Sequence, residues 1–103
     1  MVTIEYTKYG IATTDFQAEE MADAICEAYK DTEQDVTYRV GNEAVVQAMR
    51  LAVIEGLISS EDLQFKFKDR LLKINDLGEI ENFPEGFCDI STNILFKLLK
   101  ARK

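Results

Sequence analysis

Residues 36–54 read VTYRVGNEAVVQAMRLAVI, and this stretch decides the fold. Val36, Tyr38 and Val40 alternate with Thr37 and Arg39, the period-two pattern of a strand with one buried face. Gly41 and Asn42 break the strand, and Asn42 is placed to cap a helix that ends near Gly56. That helix is apolar on almost every side, through Ala44, Val45, Val46, Ala48, Met49, Leu51, Ala52, Val53 and Ile54. A helix of this kind needs cover on more than one side. Either it is central in the monomer, or it lies at an oligomer interface.

The flanks repeat the alternation of strand and helix. Upstream, VTIEY at 2–6 reads as a strand and GIATT at 10–14 as a loop. Thr14 or Asp15 then caps a helix running to about Tyr29, with Ala18, Met21, Ala22, Ile25 and Tyr29 as its apolar stripe. Asp15, Glu19, Asp23 and Glu27 form an i, i+4 acidic row on another face. Downstream, Ser59 or Ser60 opens a short capped turn. Leu63, Phe65 and Phe67 alternate with Gln64, Lys66 and Lys68 as a half-buried strand. Asp69-Arg70 is expected to turn this strand into a second one over 71–75, forming a hairpin without glycine. A turn at 76–78, an irregular arm over 79–88 and a terminal helix from residue 89 or 91 complete the chain. The expected fold is a single α/β domain over 1–103, βαβαββα, with a short parallel core joined by right-handed crossover and an antiparallel hairpin at its edge.

Composition narrows the chemistry. The 103 residues include no histidine, which removes the commonest general base and transition-metal ligand. The two cysteines, Cys26 and Cys88, lack the CxxC spacing of a structural zinc site, and no EF-hand spacing is present. No catalytic, cofactor-binding or metal-binding residue is therefore expected. The formal charge is −7. It divides into four basic and thirteen acidic side chains over 1–62, and eight basic and six acidic ones over 63–103. An acidic front half argues against binding nucleic acid. No apolar run reaches the ~20 residues of a membrane helix, and MVTIEYTKYG lacks the pattern of a signal peptide. A cytoplasmic protein with reduced thiols is expected.

The segment LLKINDLGEIENFPEGFCD at 71–89 resembles the closing segment of AAA-type, ABC-superfamily ATPases related to the OLD and RecF proteins. In that family a strand and turn, I-x-x-D/N-x-G-x-I, lead into W/F-P-E-G-F-F-D. The matching residues are Ile74, Gly78, Ile80, Phe83, Pro84, Glu85, Gly86, Phe87 and Asp89, with Cys88 replacing the second aromatic. Upstream, RVGNEAVVQAMRLAVIEGLISSEDLQFKF is similar to the family segment that begins E-T-H-S-E, with Glu43, Arg50 and Gly56 in register. DFQAEEMADAI resembles the helix after the Walker B strand, and VTIEY would then be that strand.

The departures decide what the resemblance implies. The chain holds no GxxxxGK[ST] phosphate loop. Tyr6 and Thr7 stand at the Walker B acids, and Gly41 stands at the switch histidine. ATP turnover by this chain alone then has no basis. The expected function is a non-catalytic interaction module derived from an ATPase C-terminal region, of phage or mobile-element origin. It would bind a second copy as a two-fold homodimer, or a full-length ATPase, as regulator, subunit or decoy. The candidate contact residues are Val46 and Ile54 on the second helix, and Phe83, Pro84 and Phe87 in the arm. The alternative is an acidic DNA mimic that inhibits a nucleic-acid-binding protein. No nucleic-acid or membrane partner is expected.

Overall fold

The computed structural model describes residues 1–81. Its elements run β1 (Val2–Ile11), α1 (Asp15–Thr32), β2 (Val36–Val40), α2 (Ala44–Ile54), a short 3-10 turn (Ser60–Asp62), β3 (Leu63–Phe67) and β4 (Arg70–Lys73). The strands form one sheet in the order β2-β1-β3-β4. β1 pairs in parallel with both β2 and β3, and β4 closes the edge antiparallel to β3. The fold is thus the α/β domain expected, with a parallel core and a hairpin edge. The terminal helix read at 89 onward lies outside the described residues.

Alternation sorts the sheet into two unlike faces. Val2, Ile4, Val40, Leu63, Phe65, Phe67 and Leu72 are buried on one side. The other side carries Thr3, Glu5, Thr37, Arg39, Gln64 and Lys66, and Arg39 keeps 72% of its side chain exposed. Both helices therefore cover the apolar face, where α1 and α2 lie against each other. From β1 the chain steps one way to β2, then returns across β1 to β3. With both helices on one face these two crossovers have opposite hands. The right-handed expectation holds for only one of them.

Local chemistry sets the element ends. Thr14 caps α1: its hydroxyl accepts from the Gln17 N–H at 3.2 Å, while the Gln17 side chain accepts from the Thr14 N–H at 3.1 Å. The helix runs past Tyr29 to Thr32 and stops at Glu33 in the left-handed conformation. Tyr29 anchors this end, donating its hydroxyl to Asp62. Burial first, then the Asp62 charge, pushes the phenol up from its ordinary pKa.

Three further expectations need correction. Asn42 does not cap α2. Its amide donates to the Thr13 carbonyl at 2.7 Å, clasping the β1–α1 loop, and α2 begins after Glu43 without a side-chain cap. The hairpin turn is Lys68-Asp69, one residue earlier than expected. Both have positive φ (47° and 65°), as a two-residue type I′ turn requires, so Arg70 already pairs with Phe67. Finally, β1 continues to Ile11. Tyr6 and Ile11 both lie opposite Val40, so residues 7–10 form an excursion that rejoins β2.

Candidate interaction surface

The positions that would matter to an ATPase lie at the carboxyl ends of β1 and β2. The Tyr6 ring packs edge-on against Phe67, centroids 5.8 Å apart. Thr7 begins the excursion, and its hydroxyl accepts from the Tyr9 N–H. Gly41 donates its N–H to the Ile11 carbonyl at 2.8 Å. A Cβ at Gly41 would overlap the Gly10 carbonyl oxygen, and one at Gly10 would overlap the Val40 backbone. The two glycines therefore let β1 and β2 approach more closely than any side chain would allow. Glu5, next to the Walker B register, points to the opposite face. It is held by Arg39 at 2.9 Å and Lys66 at 3.9 Å. Among the described residues no group of His, Cys, Asp and Glu could hold a metal ion.

The predicted contact residues fare unevenly. Val46 is fully buried, with the whole stretch Ala44–Met49 of α2. The second helix is covered within the monomer, so it presents no apolar surface through Val46 for isologous pairing. Ile54 is half-buried and lies against Gly78, whose φ of 76° and missing Cβ admit the Ile54 side chain. Arg50 reinforces this contact by donating to the Gly78 carbonyl at 2.7 Å. Phe83, Pro84 and Phe87 lie outside the described residues.

A different set of apolar residues is exposed. Tyr9 is 84% exposed, Ile11 67% and Phe16 72%, in the last residues of β1 and the first turn of α1. Single exposed apolar residues are ordinary, but three large ones within eight positions are not. The sequence pattern hides them because 10–14 reads as loop and 7–9 falls in no element. A signal was nevertheless present. Phe16 lies two positions, about 200° around a helix, from Ala18 on the apolar stripe, so it had to point away from the core.

On the buried side of α1, Cys26 is 3% exposed. Its thiol is pushed up to about 11, chiefly by burial and then by the Asp23 carboxylate, with Lys30 acting in the opposite direction. It is therefore an inert packing residue at neutral pH. Among the described residues no helix is long and apolar enough to cross a membrane. Compared with family models, curated proteins and solved structures, the chain matches none.

Proposed function

We propose that this chain is a non-catalytic interaction module that binds a protein partner through the end of the sheet where β1 passes into α1. The observation that carries the reading is the exposed trio Tyr9, Ile11 and Phe16. Exposed apolar side chains held on a hydrogen-bonded strand extension and a capped helix start are pre-ordered for contact, so little further ordering is needed on binding. Aromatic residues are favoured at the centres of such contacts.

The geometry beside this patch supports a non-catalytic role. Tyr6 and Thr7 offer no carboxylate at the β1 end. The Gly41 position, where the resembled ATPases carry a histidine, has no room for a side chain while Gly10 keeps its place. Glu5 is engaged by two cations on the far face. The resemblance of 71–89 to an ATPase terminus makes a full-length ATPase the candidate partner, with this chain as regulator, subunit or decoy.

The experiment is affinity capture from the native host with wild type and with the double substitution Tyr9→Ser/Phe16→Ser, alongside Mg²⁺-ATP binding by calorimetry. Both side chains are exposed, so the double variant keeps its fold. The expected result is a stoichiometric partner retained by wild type, lost by the variant, and no heat from ATP. Saturable ATP binding with turnover, or retention insensitive to both substitutions, overturns the reading.

A further inference from the structure

β2 is the outermost strand of the sheet, and its outer side is open over a short length. Val36 donates its N–H to the Met1 carbonyl at 3.1 Å, so Val36 and Tyr38 turn their backbone groups toward β1. By alternation Thr37, Arg39 and Gly41 turn theirs outward. Gly41 donates to the Ile11 carbonyl, and Ile11 lies opposite Val40. The excursion of β1 thus closes the outer side at Val40 and leaves it open around the exposed Thr37.

The helix flank above this edge carries no charge. Arg50 and Ile54 of α2 contact Gly78, which follows β4, so α1 lies on the β2 side of the helical layer. Glu19, Asp23, Glu27 and Lys30 line its seam with α2. At about 100° per residue, the opposite flank of α1 presents Gln17, Met21, Ala24 and Ala28. Their spacing of four, three and four is that of a seam between two helices. α1 has six acids, and none falls on this flank.

We propose that a second copy of this chain pairs with β2 across a two-fold axis at Thr37, joining the two sheets and setting α1 against α1. This contact is separate from the Tyr9–Phe16 surface and goes beyond the partner reading. One register fits the edge. Thr37 meets its own copy and the two exchange N–H to carbonyl bonds. Val36 then lies opposite Tyr38 of the second copy, and Asp35 opposite its Arg39. β-Branched, aromatic and opposite-charge pairs of this kind each favour strand pairing. An axis at Tyr38 would bring Val36 of the second copy onto the flank of Val40, which Ile11 occupies. An axis at Asp35 or Arg39 would set like charges opposite. Above the sheet only uncharged side chains meet, so the net charge of −7 does not oppose the contact at the axis.

Sedimentation velocity of the purified full chain, up to ~100 µM, tests this. Wild type is compared with Thr37→Pro, which removes the outward N–H at a position where an edge strand tolerates proline. Ala24→Glu/Ala28→Glu places acids on the uncharged flank, and Lys30→Glu makes the same change in net charge on the other flank. Circular dichroism checks that each variant is folded. The expected result is a wild-type dimer that Thr37→Pro and Ala24→Glu/Ala28→Glu each weaken at least tenfold and Lys30→Glu less than twofold. The register is read by oxidation in a Cys88→Ser background. Thr37→Cys should give a disulfide-linked dimer, because opposed residues have Cα atoms ~5.5 Å apart. Arg39→Cys should link at least tenfold more slowly, because its copy lies about four residues, ~13 Å, along the strand. A monomeric wild type, a dimer insensitive to both weakening variants, or Arg39→Cys linking as fast as Thr37→Cys overturns the proposal.

Discussion

The two helices are packed side by side on one face of the sheet, yet their sequences mean opposite things. α2 is apolar on nearly every side and reads either as central in the monomer or as an oligomer interface. It is in fact enclosed, with Ala44–Met49, Ala52 and Val53 all buried. α1 reads as an ordinary amphipathic helix with a solvated acidic face, and buries only Ala18, Ala22, Ile25 and Cys26. Its outer side nevertheless carries the exposed Phe16. The difference teaches that apolar content marks where a helix sits in the core, whereas interaction surface is found where apolar residues depart from the core-facing stripe.

Substitutions in each helix break or sharpen that contrast. The largest effect is expected at the centre of α2. Val46→Glu places a carboxylate at a site with no exposure and no partner, and should destabilise the domain by about 3–5 kcal/mol in urea unfolding. A folded variant that merely loses self-association would instead return Val46 to the surface. At the start of α1, Thr14→Ala removes half of the capping box and should cost about 1 kcal/mol. The same measurement reads it, with no change in the slope m.

The buried side of α1 is expected to respond to pH. The Cys26 thiol is pushed from 9.0 to about 11 in the native state. Between those values the unfolded chain releases a proton that the native chain retains. Stability should therefore be unaffected below pH 9 and fall as pH rises toward 11. In a Cys88→Ser background, alkylation of Cys26 at pH 8 should be at least tenfold slower in the native than in the unfolded protein. Rapid native labelling would show that α1 does not bury this side. The smallest effect is on the outer face. Glu27→Lys turns a repulsive i, i+4 pair with Asp23 into an attractive one and suits the negative C-terminal half of the helix dipole. It should raise stability by about 0.3–0.5 kcal/mol.

The architecture was legible where periodicity and burial agree. Val36, Tyr38 and Val40, the stripe from Ala18 to Tyr29, and Leu63, Phe65 and Phe67 each mark one face, and each lies where its pattern puts it. Asn42 was misread because a cap-forming residue beside a glycine is equally suited to clasping a neighbouring loop, and Thr13 is distant in sequence. The hairpin slipped by one residue because Lys68 and Asp69 adopt left-handed conformations that ordinarily announce themselves by glycine or asparagine. The Tyr9–Phe16 surface was hidden because the extension of β1 depends on Gly10 and Gly41 meeting across thirty positions of chain. Which of the two readings of α2 holds was not legible, because cover for Val46 comes from long-range packing, which local pattern does not count.

The central claim is that contact occurs at the β1–α1 end, not on the polar face of the sheet. Hydrogen exchange of the chain, alone and with its captured partner, followed by mass spectrometry, tests it directly. The account predicts protection on binding in peptides spanning 9–16, with β2 and β3 unchanged at Thr37, Arg39 and Lys66. Protection confined to β2 and β3, with 9–16 exchanging as fast as in the free chain, would contradict it.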